Sequence, residues 1–196
     1  QFAALLRHKN SLVRNRAISI LAANARWDTG EKFDALLEAI ENARSTIHIE
    51  YYIIKYDGLG RKFMELLTKK AREGVEVRLL FDEMGGRYIP KSALKELESA
   101  GGQYGIFFPS KLRFVNLRLN YRDHRKIVII DGKTGFIGGF NVGDEYLGLK
   151  KKMGYWRDTH LKITGEAAIS LQIRFALDWN YATGENLFKE LRYFGE

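Results

Sequence analysis

Apolar positions recur along this chain with two periods, and each change of period marks an expected element boundary. Residues 31–44 carry Phe33, Leu36, Leu37 and Ile40 at helical spacing, with Thr29 or Gly30 as a cap. Residues 45–54 alternate as a strand, with His48, Glu50 and Tyr52 on one face and Ile47, Ile49, Tyr51 and Ile53 on the other. That polar face either lines a cleft or meets solvent. The helical period returns over 58–73, a second strand spans 75–81, and a helix over 92–100 stops at Gly101-Gly102. Residues 103–123 read as irregular, with one short apolar piece before Pro109. Two short strands follow, over 126–130 and through Phe136 and Ile137, then a Gly- and Lys-containing loop at 143–154. A strand at 159–163 and a helix over 166–179 complete the pattern. Strand–helix–strand alternation predicts an α/β fold, a mixed β-sheet flanked by helices on both faces. Residues 1–24 form a lead-in segment before a single domain over 25–196. Its mixed apolar and basic start is either an amphipathic helix lying on a membrane surface or a packing arm.

Composition narrows the partners more than the fold. The chain has 196 residues, 45% of them hydrophobic, enough for one real core. Lys and Arg number 32 against 24 Asp and Glu, a formal charge of +8 that favours anionic partners, lipid surface or nucleic acid alike. The absence of cysteine excludes disulfides and thiolate metal sites. No apolar run approaches the roughly 20 residues that span a bilayer.

The chemistry concentrates in residues 124–141, HRKIVIIDGKTGFIGGFN, which place six specified positions in the order H-x-K-x4-D-x6-G-G-x-N. A hairpin is expected here. With Gly132 and Lys133 as a two-residue loop, Asp131 faces Thr134, Lys126 faces Gly139 and His124 faces Asn141. A loop of Asp131-Gly132 instead puts His124 opposite Gly139. In the first register an imidazole, an ammonium and an amide converge over a residue without a side chain, a pocket for a phosphoryl group. Asp131 has the opposite parity, so it anchors the turn or pairs on the other face. Other motifs fail: Gly132-Lys133-Thr134 lacks the upstream glycine of a P-loop, and Gly58-Leu59-Gly60 has Phe63 where a dinucleotide fingerprint needs its third glycine.

This pattern resembles the HKD signature of the phospholipase D superfamily. NYRDHRKIVIIDG, GGFNVGDEYLG, GYWRDTHLKITG and IHIEYYII are similar to the N-terminal catalytic half of bacterial cardiolipin synthases, from about residue 25 to 180. The resemblance implies a nucleophilic histidine at His124, phosphate-binding Lys126 and Asn141, and the motif aspartate at Asp131. It puts the acid that orients the histidine at Asp158. A carboxylate there fixes the tautomer and stabilises the imidazolium. Gly139 stands in the phosphate-binding run where many members carry serine, which removes one hydroxyl donor. Glu50 takes a supporting role, while His160 is structural and His8 an exposed surface histidine. The implied reaction is phosphatidyl transfer between two phosphatidylglycerol molecules, giving cardiolipin and glycerol through a phosphohistidine, with no metal or other cofactor. The implied setting is the bacterial cell membrane, with anionic phospholipid as partner rather than nucleic acid.

Family members carry two HKD motifs that build one site, and these 196 residues hold one. The domain therefore reads as half of a two-motif unit, completed by a second half or by a homodimer partner. The rivals are a homodimeric phosphodiesterase acting on nucleic acid and an inert half-domain that binds anionic lipid. Lys150-Lys151-Lys152 before Tyr155, Trp156 and Arg157 suits a charged bilayer interface, single-stranded nucleic acid or plain solvent.

Overall fold

A computed structural model describes residues 9–13, 31–107 and 122–194. Most of the lead-in at 1–24, the cap at 29–30, His8 and the stretch 108–121 lie outside the described residues. The order is α1 (Glu31–Glu41), β1 (Thr46–Tyr51), α2 (Gly58–Arg72), β2 (Glu76–Asp82), a short α3 (Glu83–Gly86), α4 (Lys91–Ser99) and β3 (Gln103–Phe107). Then come β4 (Lys126–Ile130), β5 (Thr134–Gly138), β6 (His160–Thr164) and α5 (Ala167–Thr183). One six-stranded sheet runs β3-β2-β1-β4-β5-β6. β1, β2 and β3 are parallel, joined through helices, whereas β4, β5 and β6 form an antiparallel meander that meets β1 antiparallel.

Helices cover both faces because both faces of β1 are dry. Ile47, Ile49 and Tyr51 join Phe63, Met64 and Leu67 of α2 and Phe33, Leu36 and Ile40 of α1 in one core. Across the sheet, Leu80, Ile127 and Ile129 pack on Leu171, Phe175, Ala176 and Trp179 of α5. His48 and Glu50 share this second side and are completely buried. They neither line an open cleft nor meet solvent, because α5 lies over them. His48 Nδ1 is 3.0 Å from Gln172 Oε1 and its ring stacks on Phe175 at 4.8 Å. Burial draws its pKa down to about 4.

Three sequence expectations change. Residues 103–107 form an edge strand rather than irregular chain. Gly105 interrupts its pattern, because a Cβ there would meet Thr183 Cγ2 at 2.9 Å under α5. α5 runs to Thr183, past the expected 179, and ends on Gly184 at φ +81°. The hairpin register is shifted by one: Ile127 faces Ile137 and Ile130 faces Thr134. Asp131 and Gly132 both take positive φ, 52° and 64°, and Lys133 N–H bonds to Ile130 O at 3.0 Å. Lys133 then adds one unpaired residue, so neither two-residue loop gives the observed pairing.

Candidate active site

Antiparallel pairing of β1 with β4 brings the C-terminal end of β1 beside the N-terminal end of β4, with Tyr51 opposite Lys126. β2 ends at the same edge, at Asp82. Here the sheet switches from parallel to antiparallel, the kind of crevice where open α/β sheets bind ligands. His124, two residues before β4, is exposed and stacks on Tyr52, ring centroids 4.1 Å apart and planes at 27°. Lys126 Nζ lies 5.3 Å from the same Tyr52 ring and donates to His124 O. Tyr52 therefore braces both motif residues. In the sequence it is only one polar position of a strand, since stacking on a residue 72 positions away leaves no local signal.

Asn141 does not arrive by the hairpin register. Beyond Gly138 the chain leaves β5 and crosses to the 53–55 segment, where Val142 N–H bonds to Ile53 O at 3.1 Å and Lys55 N–H to Val142 O at 2.9 Å. Asn141 is buried at this crossing. Its Oδ1 accepts from Ile53 N–H at 3.1 Å and its Nδ2 donates to Tyr146 Oη at 3.0 Å, which leaves the second amide N–H for a ligand. Ile53 adjoins Tyr52, so the carboxamide enters the same edge as the imidazole and the ammonium.

Asp158 packs on Gly139. A Cβ on Gly139 would fall 2.0 Å from Asp158 Oδ1, so the carboxylate occupies the volume a serine side chain would need. Asp158 accepts from Thr159 N–H at 2.7 Å and Trp156 Nε1–H at 3.4 Å. Its charge acts on Lys126, Tyr146 and His160. The carboxylates whose charge reaches His124 are instead Asp82 and Asp123. The charge of Asp158 thus reaches the motif lysine from the Gly139 side. His160 stacks on Phe140 at 5.6 Å, and burial lowers its pKa to about 4, in keeping with a structural histidine.

The local field favours a neutral imidazole. Burial first and the Lys126 charge second hold His124 below its ordinary pKa, against the opposing pull of Asp82 and Asp123. Burial likewise lowers Lys126, opposed by Asp123 and Asp158. A neutral imidazole beside an ammonium and an oriented carboxamide N–H can attack an electrophile while its anionic oxygens are held.

Asp131 does not join this group. It sits just past the other end of β4, about 16 Å from Lys126 at ~3.3 Å per residue. Its carboxylate accepts from the backbone N–H groups of Arg44, Ser45 and Thr46 and from Ser45 Oγ, at 2.7–3.2 Å. Burial alone would raise its pKa, but these bonds outweigh it and the value is lowered. Its role here is to pin the entry of β1 to the turn after β4, the anchoring that its parity implied.

Known proteins resemble this chain in sequence and in fold. Residues 36–170 match the family model described as "Cardiolipin synthase, PLD-like domain". The chain is 58% identical over 156 residues to the major cardiolipin synthase of Bacillus subtilis, covering 80% of this chain and 32% of that protein. It is 56% identical over 168 residues to cardiolipin synthase 2 of Staphylococcus epidermidis, covering 85% of this chain and 34% of that protein. The chain thus spans about a third of the length of these curated relatives. Among solved structures, NucT from Helicobacter pylori shares the fold with a TM-score of 0.59 at 17% identity, over 81% of this chain and 93% of that one. Phosphatidylserine synthase of Haemophilus influenzae does so with a TM-score of 0.59 at 18% identity, over 77% and 35%. With the family model spanning most of the chain and relatives more than half identical, this chain belongs to the phospholipase D-like domain family of the cardiolipin synthases.

Proposed function

We propose that this chain supplies the nucleophilic half of a phosphatidyltransferase that joins two phosphatidylglycerol molecules and releases glycerol. The observation that carries this reading is His124, held neutral and stacked on Tyr52, with Lys126 at the same ring. A ring nitrogen of His124 attacks the lipid phosphorus, the bond to the headgroup glycerol breaks, and a phosphatidyl-histidine remains. The hydroxyl of a second phosphatidylglycerol then attacks, breaks the P–N bond and leaves as cardiolipin. Lys126 and the open N–H of Asn141 hold the phosphoryl oxygens, where a well-placed donor contributes about 3–4 kcal/mol to the transition state. The departing alkoxide needs a proton that His124, as nucleophile, does not carry in that step. A second HKD motif supplies it, from another half of the parent protein or from a homodimer partner.

A membrane setting fits the exposed loop at 149–155. Lys150, Lys151 and Lys152 are exposed beside exposed Leu149, Met153 and Tyr155, a mixture suited to anionic headgroups and the acyl boundary. Among the described residues no helix is long and apolar enough to cross a membrane. The test supplies the complete protein with phosphatidylglycerol vesicles or with single-stranded DNA, and measures cardiolipin, glycerol and nucleotides released. Cardiolipin and glycerol in equal amounts, with an acid-labile phosphoenzyme lost in His124→Ala, are expected. Nucleotide release without cardiolipin would overturn the lipid reading in favour of a nucleic-acid phosphodiesterase.

A further inference from the structure

Behind His124 the chain buries acids that its own donors do not satisfy. Alternation turns Asp123 and Arg125 away from the His124–Lys126 side, toward β1 and α5. There Arg125 Nη1 lies 3.0 Å from Asp123 Oδ1, 3.3 Å from Asp178 Oδ2 and 3.6 Å from Glu50 Oε1. Asp123 Oδ1 also accepts from Arg125 N–H at 3.1 Å, and Asp123 N–H donates to Asp82 Oδ2 at 3.3 Å. Asp82 has Arg122 at 3.7 Å, and Asp178 is forked by Arg174 from its own helix. Glu50 and Asp123 are fully buried. Among the described residues, Glu50 Oε1, Glu50 Oε2 and Asp123 Oδ2 have no hydrogen-bond donor.

Ionised carboxylates only accept, so two that face each other without a donor cannot satisfy one another. One proton resolves the conflict, because a carboxylic acid O–H is a donor. The charges facing Glu50 are Asp123 from the segment before β4, Asp178 from α5 and, in opposition, Arg125. Its carboxyl is pushed up to about 11, by burial first, then by the facing carboxyl of Asp123 and by the charge of Asp178. Among the described residues no group of three or more acids or histidines is disposed to hold a metal ion.

We propose that Glu50 is a positioning residue for His124, its carboxylic acid donating to Asp123 Oδ2 and so fixing the backbone from which the imidazole projects. This rests on the reading of His124 as nucleophile. Asp123 precedes His124 directly and Arg125 follows it, so the two back-facing side chains clamp the histidine from both sides. Loss of the shared proton sets two like charges against each other, Asp123 turns, and His124 shifts relative to Lys126. A displacement of about 1 Å at a reacting group can cost about 100-fold in rate.

The test uses the complete protein carrying Glu50→Leu or Glu50→Gln. Glu50→Leu is expected to lower kcat about 100-fold with KM for phosphatidylglycerol unchanged. Glu50→Gln, whose amide restores a neutral donor, should recover kcat to within about ten-fold of the parent. Infrared difference spectra of the parent against Glu50→Gln should show a protonated-carboxyl C=O band at neutral pH. A folded Glu50→Leu with kcat within about two-fold of the parent would overturn the proposal, as would Glu50→Gln no better than Glu50→Leu, or no such band. Should Glu50→Leu not fold, Glu50→Gln and the infrared comparison carry the test. The infrared band needs no turnover, so a protein that makes no cardiolipin refutes the proposed reaction while the state of Glu50 is still decided.

Discussion

At the turn end of β4, the Asp131 carboxylate gathers three backbone N–H groups and a hydroxyl. At the other end, Glu50 and Asp123 lie deeper still, yet three of their oxygens find no donor among the described residues. Asp123 and Asp131 lie in one short stretch of sequence, at opposite ends of one strand. The first arrangement stabilises the fold; the second strains it and points at His124. A satisfied buried acid is a fastener, whereas an unsatisfied one calls for a proton or a partner. The letters of the HKD motif are therefore divided, His124 and Lys126 at the edge proposed to react and Asp131 in the joint that holds the sheet together.

The largest effects separate these jobs directly. His124→Ala should abolish phosphoenzyme and turnover while changing stability by less than about 0.5 kcal/mol, because the side chain is exposed. Calorimetry beside a quenched-flow assay checks both halves, and a large stability loss would blur the division. Asp131→Ala should do the reverse: about 2–3 kcal/mol of destabilisation from the lost charge-assisted bonds, with near-parental kcat in the fraction that folds. Asp131 has a depressed pKa, so its contribution is present above the ordinary carboxylate value near 4 and fades as pH falls further. Acid unfolding of Asp131→Ala should accordingly show a shallower loss of stability below pH 4 than the parent.

Gly139→Ser tests the joint between Gly139 and Asp158. The added Cβ meets the carboxylate at 2.0 Å, so destabilisation of about 1–3 kcal/mol is expected. Most of that loss should vanish when Asp158→Gly is added, as a double-mutant cycle would measure. Additive losses would mean that the two residues do not share this volume. A smaller effect concerns Glu50. Its pKa is raised, so the stability it contributes is complete below the unfolded value near 4.5 and declines as pH rises toward the folded value of about 11. Glu50→Gln removes that decline, and its Tm advantage over the parent should widen between pH 5 and pH 8. The smallest effect is a titration. Lys126→Met removes a positive charge that depresses His124, so the imidazole resonance followed by NMR should titrate at higher pH than in the parent.

Periodicity alone sufficed for the strands and helices that carry strong patterns. Ile127, Val128, Ile129 and Ile130 have few alternatives to a buried strand, and Phe63, Met64 and Leu67 repeat at helical spacing on one face of α2. β3 was illegible because Gly105 owes its place to Trp179 and Thr183 of α5, 74 and 78 residues further on. The register at Asp131-Gly132-Lys133 was illegible because two positive-φ residues followed by one unpaired residue cannot be told from a two-residue loop by residue type. Of the site, His124, Lys126 and Asn141 were readable as a motif, while Tyr52, Asp82 and Asp123 emerge only where separate segments meet.

The linear chain determined which chemistry is on offer: a histidine and a lysine one residue apart, a glycine pair and an asparagine, on strands apolar enough to be buried. Tertiary structure decided who faces whom. It laid α5 over the polar side of β1, it carried Asn141 across the sheet edge to Ile53, and it set Asp158 against Gly139. The physical reason is range. Periodicity and turn preference act over a few residues, whereas burial and charge depend on every segment that packs nearby, however distant in sequence.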